Sequence, residues 1–269
     1  MKNISETKKG ITAFTMHVLA MALMLCDHLW ATVIMGNTWL TSIGRIAYPL
    51  FAFMLVEGYF HTRDIKKYLK RLLLCALISE VPFNLVYSGS VFYPYHQNVI
   101  WTLMIAILCI MLTEKLRRGR AKAAKRKKSN APDGRIKKLL LSIAKTAGGI
   151  LIFAAGAAAA FAALTDYYGF GVLTAAVFYF FRGRKWWNYL LQFAGLYVIN
   201  FEMMGGLVFN IELFGHSFEF VQQGLAVLAM IPIIIYNGER GYHSTGFRYF
   251  CYLFYPVHLL VLAVLMLWV

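Results

Sequence analysis

Apolar runs of about 18 residues or more recur from one end of the chain to the other. That length of helix is what crosses the hydrocarbon core of a bilayer. A soluble domain of 269 residues would bury one core and use far fewer apolar residues than the 60% found here. The chain therefore reads as all-α, a polytopic membrane helix bundle of about nine to ten transmembrane helices in one domain spanning 1–269. Candidate spans cover roughly 12–35, 41–60, 70–87, 98–115, 139–164, 169–181, 186–201, 220–236 and 248–268. The apolar segment 203–214 is short and reads as a re-entrant or interfacial piece. Lys2, Lys8 and Lys9 precede a first apolar run that is too long for a signal peptide, so it reads as an uncleaved span.

Charge placement orients these spans. The chain holds 27 Lys and Arg against 12 Asp and Glu, but twelve of the basic residues and a single acid fall within 115–138. No nucleic-acid module accompanies them, so the excess is a topology signal and not a nucleic-acid surface. With the N-terminus in the cytosol, the segments on the other side (36–40, 88–97, 165–168 and 202–219) contain no Lys or Arg, while they carry Asp166, Glu202, Glu212 and Glu219. Positive-inside asymmetry then places the protein in a cytoplasmic membrane with a cytosolic N-terminus. The stretch of about 116–138 reads as a flexible basic cytosolic linker that can touch anionic membrane lipids. Residues 154–163 (AAGAAAAFAA) form a small-residue face that lets a neighbouring helix approach closely. Cys26, Cys75, Cys109 and Cys251 lie inside apolar runs with no CxxC pair, which points to buried free thiols.

Ionisable groups inside spans cost roughly 2.5–3.5 kcal/mol each on insertion scales, so each needs a reason. They are Asp27 and His28 in the first span, Arg45 and Glu57 in the second, Glu80 in the third and His258 in the last. By helical rise His28 and Arg45 lie a little beyond the midpoints of their spans, and Glu80 and His258 near the middle of theirs. Asn98 and Thr102 approach the same layer from the far side, and Glu57 and His61 lie toward the cytosol. Structural pairing accounts for any one of these residues alone; the set, with two His and surplus acids, favours function. Adjacent helical residues point about 100° apart, so Asp27 pairs with Arg45 and another helix orients His28, Glu80 being the expected partner. Pro49, Pro82, Pro232 and Pro256 each free a carbonyl four residues earlier, which for Pro49 is that of Arg45. No HxxxH or ExxH spacing occurs, so no metal is expected.

The block IGRIAYPLFAFMLVEGYFHTRDIKKYLKRLLLCALISEVPFNL at 43–85 resembles the signature of the TraX family. So do LCDHLWA at 25–31, QNVIWTL at 97–103, DYYGFGVL at 166–173, YNGERG at 236–241 and YLFYPVHLL at 252–260. That family takes its name from a conjugation protein that acetylates the N-terminus of pilin, and it is related to a wider membrane acyltransferase superfamily (acyltransferase family 3). The resemblance implies a bacterial inner-membrane acyltransferase using acetyl-CoA as donor, with His28 as the catalytic His. Arg45, Glu57, Glu80, Asn98 and His258 sit in matching motifs. The superfamily commonly places a basic residue eleven positions before the His; here that position is His17, so donor phosphates fall to Lys8, Lys9 or another segment.

The chemistry agrees with this reading. Acyl transfer from a thioester to an amine or hydroxyl needs a base of near-neutral pKa and a fixed dipole or charge for the oxyanion. His28, Asp27, Arg45 and Glu80 are the catalytic candidates, with Asn98, Thr102 and His258 on the acceptor or oxyanion side. Arg63, Lys67, Arg71 and Arg182 suit an anionic acyl-CoA on the donor side, where Glu57 and His61 are also candidates. The expected partners are acyl-CoA, membrane lipids and an acceptor that is a peptide amine, a glycan hydroxyl or a small metabolite. The alternatives are a proton-coupled transporter using Asp27, His28, Glu80 and His258 as a relay, and a non-catalytic scaffold of a secretion or conjugation machine.

Overall fold

A computed structural model describes residues 9–126, 134–213 and 216–268. The chain folds into ten α-helices among the described residues: α1 (Ala13–Thr32), α2 (Thr38–Gly44), α3 (Ala47–His61), α4 (Ile65–Ser88), α5 (Val99–Arg126), α6 (Gly134–Ala162), α7 (Tyr168–Phe180), α8 (Trp186–Tyr197), α9 (Met230–Ile235) and α10 (Thr245–Leu265). A π-helical turn (Val198–Met203) continues α8, and a 3₁₀ helix (Gln222–Ala229) leads into α9. Five helical stretches are long and apolar enough to cross a membrane: Ala13–Thr32, Thr38–His61, Val99–Gly119, Leu139–Ala162 and Thr245–Leu265. The protein is a multi-pass membrane helix bundle. The other expected spans fall on α4, which opens with Lys66, Lys67, Lys70 and Arg71, and on shorter helices. At about 1.5 Å per residue the 13 residues of α7 reach only about 20 Å.

Neighbouring helices close a ring in the order α1, α10, α4, α5, α7, α3 and back to α1. α6 lies outside α5 and α7, which its small-residue face makes possible: Ala157 and Ala160 are buried there. α8 packs on α7, and the 3₁₀ helix and α9 pack on α3 and α8. Leu50 of α3, Ala106 and Ile107 of α5, and Val172 and Ala175 of α7 are fully buried.

The two ends of the bundle differ in charge. Backbone bonds from Ile11 N to Ile235 O (3.0 Å), Ala13 N to Glu239 O (2.8 Å) and Phe14 N to Arg240 O (3.0 Å) tie the start of α1 to the loop after α9. That loop satisfies amides that a helix start otherwise leaves open. This end carries Lys9, Arg63, Lys67, Arg182, Arg184 and Arg240, and is called the basic end below.

Three features differ from the sequence expectation. The apolar segment 203–214 runs into a hairpin: β1 (Val208–Leu213) pairs antiparallel with β2 (His216–Val221), Val208 opposite Val221 and Leu213 opposite His216. VFNIEL and HSFEFV alternate apolar with polar residues, a period of two that suits a strand. The basic stretch expected as a flexible linker is helical up to Arg126 and again from Gly134, while 127–133 lies outside the described residues. The second span is two helices, interrupted at Arg45 and Ile46. Pro49 cannot donate to the Arg45 carbonyl, and the chain turns there.

Candidate active site

Polar side chains gather at the helix seams of the ring, in a layer toward the end opposite the basic one. His28 lies about 22 Å along α1 from Ala13, and His258 about 20 Å along α10 from Thr245, by helical rise. Their common depth brings them together. His28 Nδ1 stands 2.6 Å from His258 Nε2, with the rings nearly parallel at 6° and centroids 4.9 Å apart. His258 Nδ1 lies 2.7 Å from the Phe254 carbonyl, one turn back on its own helix. His258 is buried and His28 half-buried. Among the described residues His28 Nε2 has no hydrogen-bond partner. Glu80, the expected partner of His28, is engaged elsewhere. Its carboxylate accepts from Trp101 Nε1 (2.6 Å), from the Asn98 side-chain amide and from the Asn98 backbone N–H (3.3 Å) at the start of α5. A negative group there also complements the N-terminal end of the helix.

Asp27 and Arg45 form the expected ion pair at the α1–α2 seam. Thr41 joins it, donating from Oγ1 to Asp27 at 2.6 Å and accepting from Arg45 Nη2 at 2.7 Å. Arg45 Nη1 also donates to Gln223 Oε1 at 3.3 Å, and Gln223 donates to Asn200 Oδ1 at 2.9 Å, linking the pair to the 3₁₀ helix and the π turn. Gly44 makes this contact possible: a Cβ there would meet the Asp27 Cβ at 2.4 Å.

Asn98 and Thr102 have their polar atoms committed within the protein. The Asn98 amide donates to the Ala76 carbonyl (2.9 Å) and its Oδ1 caps Ile100 N (3.1 Å). Thr102 Oγ1 donates to the Asp166 carbonyl and lies 2.9 Å from Thr165 Oγ1. Thr102 thereby holds the loop that carries Asp166, which also makes backbone bonds to Gln97. Leu164, Tyr167 and Tyr168 adopt positive φ there (52°, 61° and 45°), a conformation that costs about 1–3 kcal/mol per non-glycine residue and clusters at functional sites. Asp166 and Arg45 are both near enough to act electrostatically on His28. Asp166 also lies 3.7 Å from His96 Nε2, and Tyr167 stacks on the buried Tyr48 with centroids 4.0 Å apart. Asp166 was counted from the sequence only as a loop charge; the available signal was its place in DYYGFGVL, beside a run too crowded for an ordinary turn.

At the basic end a cavity of about 250 Å³ collects Glu57, His61 and Arg182 with Arg184, Tyr189 and Tyr236. Arg182 holds Glu57 through two bonds, 2.7 and 3.1 Å, and lies over the Phe60 ring. His61 Nδ1 sits 2.8 Å from the Glu57 carbonyl. A second space of about 520 Å³ shares Arg184, Tyr189 and Tyr236 and adds Lys9 and Asn237. Gly238 adopts φ +83°, and a Cβ there would meet the Arg184 guanidinium at 2.1 Å, so the YNGERG loop closes directly on that Arg. The other donor-side candidates stand apart. Arg63 is exposed, Lys67 pairs with Asp64 at 3.4 Å, and Arg71 lies against Tyr252 of α10. The Lys67 backbone N–H holds the Asp64 carboxyl below the ordinary range. Lys9 is already a candidate for the donor phosphates in the sequence, whereas Tyr236, despite its place in YNGERG, is not singled out there. Among the described residues no group of three His, Cys, Asp or Glu is arranged to hold a metal ion.

A family model described as TraX protein matches residues 13–266, which is nearly the whole chain and all of the His28 layer. The chain belongs to the TraX family. It is also similar to a protein described as probable fimbrial assembly protein FimC, serogroup H1, from Dichelobacter nodosus. The two are 29% identical over 269 residues, covering 94% of each chain. No solved structure matches. In this TraX-family protein polar and charged side chains gather at two places, the His28 layer and the basic-end cavity.

Proposed function

We propose that this TraX-family protein is an integral membrane acyltransferase that moves an acyl group, acetyl in the simplest case, from cytosolic acyl-CoA to an amine or hydroxyl of a peptide, glycan or small-molecule acceptor. The observation that carries the reading is His28: a ring with one nitrogen engaged and the other free, in a layer that also supplies a guanidinium and a carboxylate. His28 removes the acceptor proton, Arg45 steadies the oxyanion of the tetrahedral intermediate, and Asp166 favours the imidazolium that forms. The proton then passes from His28 to the departing CoA sulfur. Arg182, Arg184 and Lys9 border spaces suited to the phosphates of the donor. Its thioester must then extend about 20 Å along α1 to reach His28.

A transporter relay is less well supported, because the His28–His258 chain ends at the Phe254 carbonyl, which accepts a hydrogen bond but cannot hand a proton on. The test is purified protein in proteoliposomes given acetyl-CoA and a panel of amine and hydroxyl acceptors, with free thiol followed. Acceptor-dependent thiol release is expected. No thiol release and no affinity for any acyl-CoA would overturn the proposal.

A further inference from the structure

Resting on the acyltransferase reading, the geometry points to His258 as a positioning residue that fixes which nitrogen of His28 does the chemistry. One atom in this chain of contacts can only accept. The Phe254 carbonyl carries no proton, so the 2.7 Å contact requires the hydrogen on His258 Nδ1. A neutral imidazole has one N–H, and a neutral ring is the less costly form at membrane depth. His258 Nε2 is therefore a bare acceptor. The 2.6 Å contact between His258 Nε2 and His28 Nδ1 needs one proton, and it must sit on His28. His28 is then the Nδ1–H tautomer, and its Nε2 keeps a free lone pair. The orientation originates in the helical carbonyl of α10 and is transmitted through two rings to the reacting atom. The stacked contact of His258 with Phe254 (centroids 4.9 Å, 17°) keeps its ring from turning over.

This lock makes one nitrogen serve both halves of the reaction. As the acceptor attacks the thioester carbon, its N–H or O–H bond breaks, a proton binds His28 Nε2, and the new C–N or C–O bond forms. When the intermediate collapses, the C–S bond breaks and the same Nε2–H proton passes to the thiolate of CoA. The Nδ1 proton stays on His28 throughout. Its bond to His258 strengthens while the ring is cationic, because charge-assisted hydrogen bonds are roughly twice as strong as neutral ones. A His28 carrying its proton on Nε2 would face the acceptor with a donor and could not act as its base.

The test reads tautomers directly. Full-length protein with ¹⁵N-labelled histidine, in detergent micelles, gives separate imidazole shifts for protonated and bare nitrogens, with the His28 signals among the seven His assigned by their loss in His28→Gln. The wild type should show Nδ1 protonated and Nε2 bare at both His28 and His258. In His258→Ala the His28 proton should move to Nε2, and acyl transfer should fall about 10²–10⁴-fold, in line with a base held in the wrong tautomer. In His258→Gln the side-chain oxygen can accept from His28 Nδ1–H, so the native tautomer and a rate within about tenfold of wild type should return. A wild-type His28 protonated on Nε2 would overturn the proposal. So would a His258→Ala variant that leaves the His28 tautomer unchanged. The assigned tautomers in a protein that consumes no acyl-CoA would uphold the lock and overturn the acyltransferase reading.

Discussion

Arg45 and Asp27 form an ion pair at the one place where the second membrane span is broken, with Thr41 bonded to both partners. The break and the pair explain each other. Pro49 leaves the Arg45 carbonyl without its helical donor, the helix turns, and the guanidinium swings onto α1 instead of into lipid. Removing one partner leaves an uncompensated charge in a low-dielectric setting, which typically costs about 3–5 kcal/mol. Arg45→Ala should therefore unfold at clearly lower temperature in detergent, followed by intrinsic fluorescence. Arg45→Gln combined with Asp27→Asn should recover much of that loss, yet transfer acyl groups slowly because the oxyanion has lost its cation.

Gly44 sets how closely α2 approaches α1. An added methyl would overlap the Asp27 side chain, and forcing atoms into a packed contact costs about 1–3 kcal/mol. Gly44→Ala is expected to lower the unfolding temperature, whereas Gly89→Ala, with open space around its Cβ position, should lose stability only through its positive φ. A Gly44→Ala protein as stable as wild type would mean that the α1–α2 approach is looser than described.

Glu80 separates structural from catalytic acids. It collects three donors at the start of α5, and losing its charge weakens hydrogen bonds worth about 1.5–3 kcal/mol each. Glu80→Gln should reduce thermal stability while the rate of thiol release per folded molecule stays within about threefold. A drop of a hundredfold in rate with normal stability would place Glu80 in the chemistry.

These cases show what a sequence can and cannot disclose. The helical membrane class, the Asp27–Arg45 pair and the open Arg45 carbonyl before Pro49 were legible because membrane burial penalises each lone charge and each missing amide strongly enough to leave a pattern. The partner of His28 was not legible. Glu80 and His258 fall within a turn or two of the same depth, and depth says nothing of which seam a side chain enters; the order of helices around the ring decides that. Asp166 escaped because a short loop between spans reads as solvent-facing, although Thr102 and Gln97 draw it back into the layer. The hairpin escaped because an apolar average over 203–214 hides the alternation of Asn210 and Glu212 with the apolar residues beside them.

At the basic end, Arg184→Gln should weaken acyl-CoA binding about tenfold by titration calorimetry, matching the loss of one charge-assisted contact. The His28 tautomer should not change. Unaltered affinity would move the donor phosphates away from this cavity.

Sidedness is open to a simple labelling experiment. After replacement of the four native cysteines, a cysteine at Ser90 should react with an impermeant thiol reagent added to intact cells, and one at Lys67 should react only after the membrane is opened. Labelling of both in intact cells would contradict the orientation proposed for donor entry.

The most direct measurement is single-turnover acetyl transfer by wild-type protein and His28→Ala at saturating acetyl-CoA, with CoA binding measured on both. A lost general base typically costs about 10²–10⁴ in rate. A folded His28→Ala protein is expected to bind CoA with wild-type affinity and to transfer at least a hundredfold more slowly. Transfer by His28→Ala at the wild-type rate would contradict the proposed mechanism.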